Sequence, residues 1–274
     1  MEPRPDLDTP PHSAQHAPAS PDTAALQPPG RWRLGLALWL LGMPGVLAVV
    51  WSLLPPLAAS QALLPVPLWA VLLLSGLQTA VMLALAVAVG VVLGPRVGLE
   101  APVLSALLAG GRRTPGADRR WLLAGLWSGA AGGAWILALS TLAPEGLRAT
   151  HPASDAVTVL VKLLYGGITE ELLARWGLMT LLLWLAWRVV QRGRGVPRTM
   201  PVMLAVGASA VLFALGHLPA AQAMAGELTL PVVAFVVVGN TALGLLPGWL
   251  FARRGLEAAI TAHVLAHAVS IPWL

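Results

Sequence analysis

The sequence predicts an all-α fold, a polytopic transmembrane helical bundle of about seven spans with a disordered N-terminal tail. Of the 274 residues 57% are apolar and 11% charged, and the mean hydropathy is +0.76. That is more apolar surface than a soluble core of this size can hide. The apolar residues fall in runs long enough to cross a hydrocarbon layer of roughly 30 Å, with most charges lying between the runs. Such a chain has lipid as its solvent.

Residues 1–31 are rich in Pro, Ala, Ser and Asp and nearly free of large apolar side chains, so they cannot offset the entropy of ordering and read as a disordered cytoplasmic tail. The tail is too long and too polar for a cleaved signal peptide, which makes the first apolar block a retained span. Spans are expected near 33–55, 66–94, 121–143, 156–190, 200–218, 229–251 and 256–273. Residues 32–274 thus form one transmembrane domain, with its polar motifs confined to 156–270. Residues 97–109 read as a short amphipathic or interfacial piece. The block at 156–190 exceeds what a span needs and suggests a short leading helix joined to a tilted span near Gly166-Gly167. Gly125, Gly129 and Gly133 recur every fourth residue on the third span, a small-residue stripe that lets helices pack closely.

The cations set an orientation. Arg4, Arg31 and Arg33 precede the first span, and Arg96, Arg112, Arg113, Arg119 and Arg120 precede the third. Arg188, Arg192, Arg194 and Arg198 follow the fourth and Arg253 and Arg254 the sixth, whereas Arg148 alone falls in an opposite loop. By the positive-inside rule the N-terminus is cytoplasmic and the C-terminus outside. Trp32, Trp69, Trp121, Trp184, Trp187, Trp249 and Trp273 fall near span ends, as an aromatic belt would. The isoelectric point near 11.2 does not signal nucleic acid, because the basic residues form no runs with interleaved aromatics. The chain has no cysteine, which excludes disulfides and thiolate chemistry and leaves His, Glu, Asp or Asn for any metal.

Glu170, Glu171 and Arg175 sit inside the fourth apolar block. A charge at bilayer depth costs a few kcal/mol, so it is kept where it faces a protein interior or a wet cavity. Glu171 and Arg175, four apart on one helix face, form a favourably ordered ion pair. Glu170 has no cation four residues on and is the carboxylate left for acid or base work. Phe213 and His217 are four apart on the fifth block, as are His263 and His267 on the last, so each pair lines one helix face. Two histidines at this spacing are also a way to hold a metal.

The order Glu-Glu-x-x-x-Arg, Phe-x-x-x-His, His-x-x-x-His across three late helices resembles the CPBP intramembrane proteases, which include the CAAX prenyl endopeptidases and bacterial relatives associated with bacteriocin processing or immunity. The resemblance covers roughly residues 156–270 and includes the Gly-Trp-Leu-Phe-Ala-Arg-Arg-Gly-Leu-Glu-Ala-Ala-Ile stretch before the last histidines. It implies that Glu170 is the general base for a water also held by His217, and that Glu171 with Arg175 shapes the site. It implies further that His263 and the residue four beyond it donate to the oxyanion, a role worth a few kcal/mol per donor. The family commonly carries Asn at that last position, where this chain has His267. An imidazole can still donate there, or tilt the set Glu170, His217, His263 and His267 toward zinc. Asn240, a polar residue in the sixth block, either supplies an amide to the site or makes an interhelical hydrogen bond.

At ~1.5 Å per residue, Glu170 lies roughly 21–27 Å, His217 about 26 Å, Asn240 about 20 Å and His267 about 18 Å from the arginine-bearing helix ends. His263, at about 12 Å, is shallow unless its helix tilts. The expected activity is hydrolysis of a peptide bond in a membrane-embedded or lipid-linked peptide or protein, with the lipid bilayer as the other partner and no nucleic acid. The water would be activated by glutamate or by metal, making this a glutamic protease or a metalloprotease. The near-total use of Arg over Lys points to a bacterial cytoplasmic membrane. Two rivals are a metal-ion or proton transporter, against which the lack of internal repeats counts, and a catalytically inactive protease-like binding protein.

Overall fold

The computed structural model describes residues 30–59, 66–110, 119–148 and 156–273, and among these every regular element is helical. The predicted tail, 1–31, lies outside the described residues except for Gly30 and Arg31, where the first helix begins. In chain order the helices are α1 Arg31–Ala59, α2 Leu68–Val97, α3 Pro102–Leu108, α4 Arg119–Leu142 and α5 Ala156–Val190. They continue as α6 Thr199–Leu215, α7 Leu218–Ala225, α8 Leu230–Arg254 and α9 Leu256–Ser270. Counting α6 with α7, six segments are long and apolar enough to cross a membrane. The seventh expected span, α9, has 15 helical residues, about 22 Å at the α-helical rise. It runs between the Gly255 turn and a short 3₁₀ turn at Ile271–Trp273.

Large apolar side chains such as Trp51, Leu73, Leu85, Trp127 and Leu230 are exposed on the outer faces, as expected of helices solvated by lipid. The molecule is an integral membrane protein. Its packed interior joins α1, α2, α5, α6 and α8 through Leu38, Leu83, Leu172, Trp176, Met179, Leu183, Val206 and Phe251.

The helices alternate in direction, which gathers α1 N-terminal, α2 C-terminal, α4 N-terminal and α8 C-terminal residues at one end of the bundle. Arg31 and Trp32 share a groove with Val91 and Val92. Arg96, Gly195 and Arg253 line another, and Arg120 meets Arg253, Arg254 and Gly98 around a third. At the opposite end the turn after α4 meets α7, with Gly146 against Ala225. Among the described residues every arginine except Arg148 and the internal Arg175 lies at the first end, here called the arginine end.

The glycine stripe of α4 is a packing face. A Cβ on Gly125, Gly129 or Gly133 would fall within 2.6–2.9 Å of a Thr261, Leu265 or Val269 side-chain carbon of α9. The interfacial segment at 97–109 contains α3, which is stapled to the start of α9: Leu256 N–H donates to the Glu100 carbonyl at 3.0 Å, and Leu104 N–H donates to Glu257 Oε1 at 2.8 Å. Gly255, with φ +92°, turns the chain between α8 and α9, a conformation that favours glycine.

The expected break at Gly166-Gly167 is absent. Instead α5 is continuous and winds in π register over Val161–Thr169 and Leu172–Met179, with Glu170 and Glu171 between. The two glycines serve close approach, since a Cβ on Gly167 would lie 2.5 Å from Val264 Cγ2 of α9.

Candidate active site

The π winding of α5 decides which side chains share a face. Hydrogen bonds run from residue i to i−5, as from Glu170 N–H to the Tyr165 carbonyl, so the turn is wider than in an α-helix and residues four and five apart share a face. Val161 and Gly166 thereby align, as do Tyr165 and Glu170. Thr169 ties this stretch to α1 by donating its hydroxyl to the Gly42 carbonyl at 2.7 Å.

Glu171 and Arg175 are fully buried and paired as predicted, with Arg175 Nε 3.3 Å from Glu171 Oε2. The other carboxylate oxygen, Oε1, accepts from His263 Nδ1 at 2.8 Å. The guanidinium also donates through Nη2 to the Gly244 carbonyl of α8 at 3.2 Å and lies over the Phe213 ring, 4.8 Å from its centroid. Glu171 therefore joins α5 to α9 through Oε1, with Oε2 in ion-pair contact but not hydrogen-bonded to the guanidinium, while Arg175 joins α5 to α6 and α8. Buried charges persist when paired in this way.

His217 ends the α6 run: it follows Leu215 by two residues and caps α7, whose early Pro219 cannot continue the preceding hydrogen-bond ladder. Its Nδ1 donates to the Phe213 carbonyl at 2.8 Å, which fixes the neutral tautomer and leaves Nε2 as an acceptor. Phe213 stands edge-on to both His217 and His263, with centroids 4.6 and 6.0 Å away. His263 stacks on His267 at 4.9 Å. A Cβ on Gly166 would lie 2.8 Å from His267 Nε2, so the glycine makes room for this imidazole.

These groups enclose one cavity of about 150 Å³, lined by Val161, Lys162, Tyr165, Gly166, Glu170, Phe213, His217, Asn240, Leu243, His263 and His267. Glu170, His217, His263 and His267 meet there, as do Phe213 and Asn240, whereas Glu171 and Arg175 stand behind the wall. His263, expected to be shallow unless its helix tilts, reaches the same cavity. Asn240 makes an intrahelical bond instead of an interhelical one, donating through Nδ2 to the Val236 carbonyl at 2.9 Å.

Two further polar side chains line the cavity, Lys162 and Tyr165. They are the chain's single lysine and single tyrosine. A cation inside an apolar block is a signal that could have found Lys162.

The donor set does not close around one ion. Among the described residues no three His, Cys, Asp or Glu side chains gather as metal ligands. No step below is routed through zinc.

Residues 152–269 match the family model described as Rce1-like, type II CAAX prenyl endopeptidase Rce1-like. No curated protein and no solved structure matches the chain. The matched region contains every motif residue of the cavity, and over these residues the chain is similar to the Rce1-like CAAX proteases, a family of intramembrane endopeptidases, as the order of its motifs led us to expect.

Proposed function

We propose that the cavity hydrolyses a peptide bond with a water activated by Glu170 and His217. The observation that carries this reading is the meeting of Glu170, His217, His263 and His267 in one cavity, with Glu171 engaged behind them by His263 and Arg175. Glu170 lines the cavity and Glu171 does not, so Glu170 is the base. His217 Nε2 accepts one hydrogen of the water and orients it; Glu170 takes the other as the water oxygen bonds to the scissile carbonyl carbon. The C=O pair moves onto oxygen, and His263 and His267 donate to that oxyanion. In this role His263 carries a proton on each nitrogen, with Glu171 as its counter-ion. Collapse breaks the C–N bond, and Glu170 returns its proton to the leaving amine.

The substrate is a membrane-embedded or lipid-linked peptide or protein, and the setting is a bacterial cytoplasmic membrane. The test is cleavage of fluorogenic and lipid-linked peptides by detergent-purified protein. Glu170→Ala and His217→Ala should each abolish cleavage with the protein still in the membrane, and retained activity in both contradicts the assignment. A strong chelator separates the two forms of water activation: unchanged rates support the carboxylate alone, and loss of rate assigns a metal to the same side chains.

A further inference from the structure

We infer that the catalytic cavity is served from the face of the membrane opposite the arginine end, the non-cytoplasmic face, so that its substrates are polypeptide segments exposed there: exported precursors or external stubs of membrane proteins. The inference rests on the peptidase reading above and deepens it by naming the side from which substrate arrives.

Three observations carry it. The cavity residues lie away from the arginine end on nearly every helix that supplies them. Lys162, Tyr165 and Glu170 fall in the half of α5 nearer Ala156, His217 lies just past the far end of α6, and Asn240 is nearer Leu230 than Arg254 on α8. On α9 His263 is at the middle and His267 near Ser270.

Toward the arginine end the bundle is closed. Glu171, Arg175, Met179 and Leu183 follow the cavity along α5 and are wholly buried, and Val206 of α6 and Phe251 of α8 are 1% exposed. A Cβ on Gly248 would lie 3.3 Å from Val206 and 3.8 Å from the Met179 sulfur, so α5, α6 and α8 are in contact there. Val161, Lys162, Tyr165 and His217, on the other side of Glu170, are only half-buried.

The third observation is the charge asymmetry. Among the described residues the arginines outside the spans lie at the closed end, with Arg148 the sole exception. Short loops so biased are retained in the cytoplasm. The closed end is then cytoplasmic and the cavity opens outward, away from any cytoplasmic prenylated C-terminus.

The chain has no cysteine, so one introduced cysteine reports without background. Met224, 63% exposed at the open end, and Val196, 83% exposed at the arginine end, serve as reporters, and Val161 at the cavity wall serves as the third. With a membrane-impermeant thiol reagent on intact expressing cells, Met224→Cys and Val161→Cys should label, and Val196→Cys only after permeabilisation. Val161→Cys labelling with the Val196 set overturns the proposal, as does Met224→Cys labelling only after permeabilisation.

Activity separates this inference from the peptidase reading. In sealed vesicles of sorted orientation, a quenched peptide added outside should be cut only where the Met224 face is outward. Cutting only with the Val196 face outward sinks the sidedness and leaves the peptidase standing. No cutting even in detergent, where both faces are reachable, sinks the peptidase while the Val161→Cys labelling still decides the side.

Discussion

At the scale of single residues, two adjacent glutamates differ by their partners. Glu170 faces the cavity, whereas Glu171 holds His263 and Arg175. Removing the guanidinium in Arg175→Met leaves a buried carboxylate without its cation. We expect a loss of about 3–5 kcal/mol, read as a lowered thermal unfolding midpoint in detergent. A second prediction concerns Gly166. A methyl there meets His267 Nε2 at 2.8 Å, so Gly166→Ala should displace the imidazole and cut activity roughly tenfold or more, in keeping with the usual effect of small misplacements. Adding His267→Asn, a shorter side chain, should restore part of the rate, which a general folding defect would not allow. These residues were legible in the sequence because a polar group in an apolar run is costly and stands out. The hydrogen-bond assignments were not, since tautomer and partner depend on three helices meeting.

At the scale of elements, α5 is where the sequence reading fell short. Its length and its glycine pair suggested a break, and the structure has instead an unbroken helix in π register. Pattern reading cannot separate these outcomes, because the register is set by neighbours: Thr169 bonds to α1 and Gly167 admits α9. The α6 to α7 break was half legible, since Pro219 marks it. The depth of His263 stayed conditional on tilt, because counting residues along α9 carries no knowledge of how that helix docks. The α4 stripe was legible as packing, and a third prediction tests it. Gly129→Ala puts a methyl 2.6 Å from Leu265 Cβ and 2.8 Å from the Ala262 carbonyl. It should cost about 1–3 kcal/mol by overpacking, seen as a lower midpoint, with the rate at low temperature reduced far less than in Gly166→Ala.

At the scale of the whole molecule, apolar composition and interspersed charges were enough to give an all-helical membrane bundle, and the alternating helix directions sorted the arginines to one end. What composition could not give is the division of the interior into a packed half and a hollow half, which follows from side chains of five helices interlocking near Met179 and Phe251. The proposed chemistry belongs to the cavity at the end away from the arginines. The central claim is that Glu170 acts as the base while Glu171 holds the frame. The most direct measurement compares peptide hydrolysis and thermal stability of the purified protein with its Glu170→Gln and Glu171→Gln variants. The account predicts that Glu170→Gln loses about 10²–10⁴-fold in rate with an unchanged unfolding midpoint, and that Glu171→Gln loses rate and stability together. Full activity in Glu170→Gln, or a rate loss in it that only tracks unfolding, would contradict the account.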